Sequence, residues 1–228
     1  DPANLDPLKP SWTAFTRKLR LRLCVMGILK PYGTPAELFG WIENTGIGSE
    51  LEPDEWEIIQ RPLGKMDRQM QVDATWRLEG LVVLAWALGM YEIPPHDSLV
   101  EFYPMWRNLG LLDAVRAKAL LSAPKLRSRE EIQSVCKQLF ALHWRLRNYH
   151  IHPGIMDFPD FAKTCWFGPL DISRLPIVDG DLGIKGRRLD AADPDAIGIA
   201  YSAARERHVA INWLWEGPEH YSEASQAT

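Results

Sequence analysis

After Gly80 the middle of the chain has almost no polar face. Trp76, Leu78, Leu81, Val82, Val83, Leu84, Trp86 and Leu88 predict a central helix from about Met70 to Leu88, buried on every side after Gly80. Gly89 stands where a helix ends in a left-handed residue, and Pro94 and Pro95 bar continuation. Thr34-Pro35-Ala36-Glu37 reads as N-cap, first-turn proline and capping-box glutamate, predicting a helix to about Asn44 that Gly46 ends. Pro53 opens a short acidic helix that must stop before Pro62. Ser128-Arg129-Glu130-Glu131 is a second capping box, starting a helix to about Asn148, and Ser202 to Trp215 gives the last long helix. Ser11 to Leu29 reads as a first helix by its length, although Leu19 to Leu23 alternates with period two.

The one strand signal is Leu182 to Leu189, short and glycine-rich, enough for a small hairpin. The expected fold is therefore mainly α: one domain over residues 1–228, a bundle-like array of helices with at most one small β-hairpin near 182–189. The irregular, proline-rich stretch Ile151 to Asp181 is expected to be mobile or site-forming.

Composition narrows the function classes. With 228 residues, 46% of them hydrophobic, the chain can bury a sizeable core, and its ten tryptophans, spread from Trp12 to Trp215, suggest one core drawn from the whole sequence. A formal charge of −4 argues against a nucleic-acid binder, whose affinity comes from clustered Lys and Arg. The basic run Arg17 to Arg22 spreads around its helix instead of forming a stripe. Three widely separated cysteines, Cys24, Cys136 and Cys165, imply neither a disulfide framework nor a thiolate zinc site and fit a reducing cytoplasm, with Cys136 and Cys165 expected to be packing residues. The longest nearly uncharged apolar run, Gly80 to Tyr91, falls short of the roughly 20 residues a membrane span needs, and DPANLDPLKP lacks the character of a signal peptide. The missing initial Met leaves room for residues upstream.

Within this apolar framework a few ionisable residues stand out. Arg77 and Glu79 lie in the central helix; Glu206, Arg207 and His208 lie in the last. An unpaired buried charge costs several kcal/mol, so each needs a partner or access to water. Arg77 and Glu79 point about 200° apart and cannot pair with each other. The expected pairings are Glu79 with Arg207 or Arg145, and Arg77 with Glu206. These residues are either register-fixing ion pairs or a site between the central and last helices. In the second case Glu79 or Glu206 serves as general base, His143 or His208 as proton shuttle, and Arg77, Arg145 or Arg207 as anion clamp.

His143, Arg147 and His150 share one helical face, but an arginine in that row repels a cation and no HExxH accompanies it, so no metal site is expected. No nucleophile elbow, phosphate loop or dinucleotide fingerprint is present, and no cofactor is implied. Glu52, Asp54 and Glu55 around Trp56 offer an acidic, aromatic surface for a protein partner, or simply a solvated helix start.

Taken in order, W-R-x-E at Trp76, Arg77 and Glu79, L-x-W-A-L-G ending at Trp86 to Gly89, H-W-R at His143 to Arg145, and E-R-H-x-A-x-N-W-L at Glu206 to Leu214 form a specific set. The chain in this respect resembles the bacterial domain-of-unknown-function family 4272. The resemblance implies a cytoplasmic, mainly helical protein and carries over no activity or cofactor. The leading expectation is a non-enzymatic protein that acts by binding another protein, of the bacterial immunity or antitoxin type. The alternative is a hydrolytic enzyme or a small-anion-binding regulatory domain using the Glu/Arg/His group. No nucleic-acid or membrane partner is expected.

Overall fold

The computed structural model describes residues 34–61, 65–109, 113–122 and 126–228; the helix predicted at Ser11–Leu29, with Cys24, lies outside them. Eight α-helices and a three-stranded antiparallel sheet occur among the described residues, so the fold is mainly α. Two compact units emerge: the chain up to Ile93 together with Val100–Arg127, and Pro94–Leu99 together with Ser128–Thr228.

In the first unit, α1 (Pro35–Thr45) begins and ends as its sequence dictates. The Thr34 side chain accepts from Glu37 N–H, Glu37 returns the bond, and Gly46 closes the helix at φ 72°. α2 (Pro53–Gln60) follows, and α3 (Arg68–Ala87) starts two residues before the expected point because the Asp67 side chain accepts from Met70 N–H. From Leu78 to Ala87 every α3 residue is buried, as the pattern requires. Leu38, Trp41, Ile42, Ile47, Leu51, Ile59 and Ala117 form a hydrophobic core cluster.

Two helices here were not anticipated. α4 (Phe102–Leu109) buries Phe102, Met105 and Leu109 on one face, and α5 (Ala114–Ser122) is capped by Asp113 Oδ1, which accepts from Val115 and Arg116 N–H. The carbonyl end of α3 is closed by Arg127. Its backbone N–H donates to Ala87 O at 2.8 Å, its Nε donates to Trp86 O at 2.8 Å, and its guanidinium lies 4.9 Å from the Trp86 ring centroid. A cation at a helix C-terminus offsets the partial negative charge gathered there.

The second unit is organised by α6 (Arg129–Ile151), opened by the Ser128–Glu131 capping box, and α8 (Pro194–Glu216). Their contacts pair His150 with Tyr201, His143 with His208, Cys136 with Asn212 and Arg129 with Trp215, so the two run antiparallel along their length. α8 begins eight residues before the expected Ser202, because Asp193 accepts from Asp195 and Ala196 N–H and Pro194 occupies the first turn.

The Ile151 to Asp181 stretch is more ordered than its composition suggests. It contains α7 (Phe158–Thr164), capped by Asp157, and β1 (Ile177–Val178). The expected hairpin is β2 (Asp181–Ile184) with β3 (Arg187–Arg188), and β1 pairs on the other side of β2 to give the order β1-β2-β3. Both turns are two residues long with positive φ throughout: Asp179 and Gly180 at 47° and 82°, Lys185 and Gly186 at 50° and 75°. This is the hairpin geometry that matches strand twist. All four β2 residues are buried.

Candidate functional site

Most of the ionisable residues singled out by the sequence are closed inside the fold. Glu79, His143, Arg145, Arg207 and His208 are each at most 3% exposed, while Arg77 and Glu206 are half-buried. Arg145 takes Asp181 as its carboxylate partner, not Glu79. Its Nε donates to Oδ1 at 2.7 Å and its Nη2 to Oδ2, and the remaining donors reach Asn148 Oδ1 and Gly154 O. A two-pronged guanidinium–carboxylate bond of this kind fixes α6 against the first residue of β2.

Arg207 reads backbone. Its Nη1 donates to Pro94 O at 3.0 Å and Pro95 O at 3.1 Å, and its Nη2 to Ser98 O at 2.7 Å. The 94–99 segment it holds is also tied to the hairpin. His96 Nε2 donates to Gly183 O at 2.7 Å, and Asp97 Oδ2 accepts from Lys185 N–H at 2.8 Å. Burial holds the His96 pKa below its ordinary value.

In the first unit, Glu79 Oε1 accepts from Val100 N–H at 2.9 Å, and Arg77 Nη2 lies 3.8 Å from Asp54 Oδ2. Glu55 is 1% exposed because its carboxylate accepts from Glu52 N–H at 2.9 Å, closing the N-terminus of α2; Glu52 is 7% exposed. Trp56 stacks on Phe39 at 6.3 Å and packs on the hydrophobic cluster. Of the four residues offered as an acidic, aromatic surface, Asp54 is the exposed one.

The least ordinary group is the buried pair His143 and His208, whose Nδ1 atoms are 3.0 Å apart. Their protonation pattern follows from what lies beyond them. Asn212 Nδ2 donates to Ser225 O at 3.0 Å, which can only accept, and this fixes the amide orientation. The same Nδ2 lies 3.1 Å from His208 Nε2, so Nε2 accepts and the His208 proton is on Nδ1. His208 Nδ1–H then donates to His143 Nδ1, leaving the His143 proton on its Nε2. Cys136 Sγ completes the group, 3.7 Å from Asn212 Oδ1.

Burial pushes both imidazoles down, His143 to about 3 with further contributions from His208, Arg147 and Arg205, and His208 to about 4. The pair is neutral at physiological pH. Burial also pushes the Cys136 thiol up to about 11, with Glu216 adding to the shift, so it is not an activated thiolate. The array is a directed chain of hydrogen bonds between neutral groups, and it holds no poised nucleophile.

Sequence reasoning found His143 and His208 but not their shared dependence on Asn212, although His208 and Asn212 are four apart on one helix face. Asp181 carries no local signal of its role. His150, exposed at the end of the His143 row, stacks on Tyr201 at 5.2 Å. Among the described residues, no group of three or more His, Cys, Asp or Glu side chains is placed to hold a metal ion.

These features define a mainly helical protein in which Arg145 is closed on Asp181 and Arg207 holds backbone carbonyls. The chain belongs to the family described as Domain of unknown function (DUF4272), whose sequence model matches residues 22–156, more than half of the chain. That span reaches through α6 and contains Arg77, Glu79, His143 and Arg145; Asp181, Arg207, His208 and Asn212 lie beyond it. No curated protein and no solved structure matches the chain.

Proposed function

We propose that this protein is a non-enzymatic binding module that acts on another protein, of the immunity or antitoxin type. One surface residue carries this reading. Trp166 is 92% exposed, in the turn after α7, and its ring stands edge-on to Phe167 at 5.4 Å. Phe167 in turn rests on Trp144 and Phe140, and Trp144 stacks on Phe161 at 4.4 Å. A large indole held in water on an ordered aromatic base loses little conformational entropy on docking, which is why tryptophan is enriched among residues that anchor interfaces.

The closure of the interior ionisable groups favours the same reading over a hydrolase built on Glu79, His143, Glu206 and His208. Arg145 and Asp181 spend their hydrogen-bonding capacity on the fold, and both ring nitrogens of His208 are committed. A cytoplasmic, bacterial setting belongs to the proposal, supported by Cys136 and Cys165 standing as free thiols. No described helix is long and apolar enough to cross a membrane.

The test is a paired capture from host lysate with the tagged protein and its Trp166→Ala variant. A partner retained by the first and lost from the second, at unchanged melting temperature, supports the reading. Equal retention by both, or none by either, removes it.

A further inference from the structure

We propose that His143, His208 and Asn212 form an acid-sensitive latch on the C-terminal segment Ser225–Thr228. In the neutral pair two protons occupy four ring nitrogens, and Asn212 Nδ2 is able to donate to both His208 Nε2 and Ser225 O because Nε2 is bare. A third proton changes this. If the Nδ1 to Nδ1 bond between the helices is kept, one Nδ1 stays bare, so both Nε2 atoms must carry hydrogen. His208 Nε2–H then faces the amide hydrogens of Asn212.

Two donors cannot share that contact. Rotating the amide presents Oδ1 to the imidazolium, but it also turns Oδ1 toward Ser225 O and takes it from the Cys136 thiol. Protonation therefore keeps α6 on α8 and removes the buried bond that ties the segment down.

The surroundings make the latch responsive. From α6, Arg147 and the Phe140 ring face the pair; from α8, Arg205 and the Tyr201 ring do so. Both arginines oppose a proton on His143, and both also hold the segment, Arg147 Nη1 on Thr228 Oγ1 at 3.1 Å and Arg205 Nη2 on Gln226 Oε1 at 3.0 Å. A third positive charge between them weakens the hold of all three sites together. Tyr221, 1% exposed against Trp213, anchors the chain ahead of Ser225, so release is confined to the residues beyond it.

The experiment is nuclear magnetic resonance on the intact protein. At pH 7 the imidazole nitrogens should report His208 protonated on Nδ1 and His143 on Nε2; an Nε2–H tautomer of His208 overturns the proposal. Between pH 7 and pH 3, as the pair takes its proton, backbone order parameters of Ser225–Thr228 should fall from about 0.85 to below about 0.6 while those of residues 177–188 hold. A segment that stays ordered when the pair is charged, or that loosens only when 177–188 does, overturns it as well. Asn212→Leu should free the segment at pH 7 and abolish its pH dependence; a retained dependence sinks the idea. If that variant does not fold, the tautomers and titration of the native protein still decide.

Discussion

Arg145 on α6 and Asp181 at the head of β2 form an ion pair in which both side chains are at most 1% exposed. Removing one partner strands the other charge away from water. Asp181→Ala should therefore cost about 3–5 kcal/mol, as should Arg145→Ala, whereas an apolar pair such as Arg145→Met with Asp181→Leu should cost less than either single change. Urea unfolding of the three variants checks this; a double variant less stable than both singles contradicts it.

The neutral histidine pair makes stability depend on pH with a definite sign. Both groups have folded pKa values, about 3 and about 4, below their ordinary 6.5, so the unfolded chain binds protons first. Stability should be flat above pH 6.5, fall by up to about 1.4 kcal/mol per pH unit for each histidine as pH drops below it, and level off once the folded pair protonates. Equilibrium unfolding at pH 7.5, 6.0 and 5.0 measures the slope. His208→Phe should flatten it by about half, and an unchanged slope in that variant shows that other groups are responsible.

Two tryptophans 22 positions apart should behave oppositely. Trp166→Ala removes a side chain that is almost wholly in water, so stability should stay within about 0.5 kcal/mol. Trp144→Ala removes the ring on which Phe158, Phe161 and Phe167 lean and should cost about 2–4 kcal/mol, somewhat under a fully buried aromatic. Thermal melts of both variants separate the surface role from the packing role.

Gly183 and Gly198 make a sharper contrast. A Cβ at Gly183 would stand 2.8 Å from Val178 Cγ2 and 3.3 Å from Pro176 O, so Gly183→Ala should destabilise by about 1–3 kcal/mol. At Gly198, exposed within α8, a Cβ meets nothing within 4 Å, and Gly198→Ala should stabilise by up to about 1 kcal/mol through helix propensity alone. Opposite shifts in unfolding midpoint are expected; loss of stability at both sites counts against the packing assigned here.

Local chemistry is what the sequence determined by itself. The capping boxes at Thr34 and Ser128, the prolines at 35 and 53 and the glycines at 46 and 89 fixed where helices begin and end, because each acts through backbone groups within a few residues. The full burial of Leu81 to Ala87 was equally legible, since no polar stripe interrupts it. Weaker local signals went unread: Asp193-Pro194 opening α8, Asp113 and Asp157 as caps, and Asp179-Gly180 as a second hairpin turn.

Tertiary structure alone decided the partners of the buried charges. Nothing near Arg145 specifies Asp181, 36 positions away, and nothing near Arg207 specifies the carbonyls of residues 94, 95 and 98. A carbonyl has no sequence signature, since every residue carries one. The histidine tautomers depend on the same kind of fact: they are set by a single backbone oxygen, Ser225 O, brought to Asn212 by the return of the chain. Sequence could say that these charges needed partners, because burial without them is too costly; only the packed chain could say which ones they found.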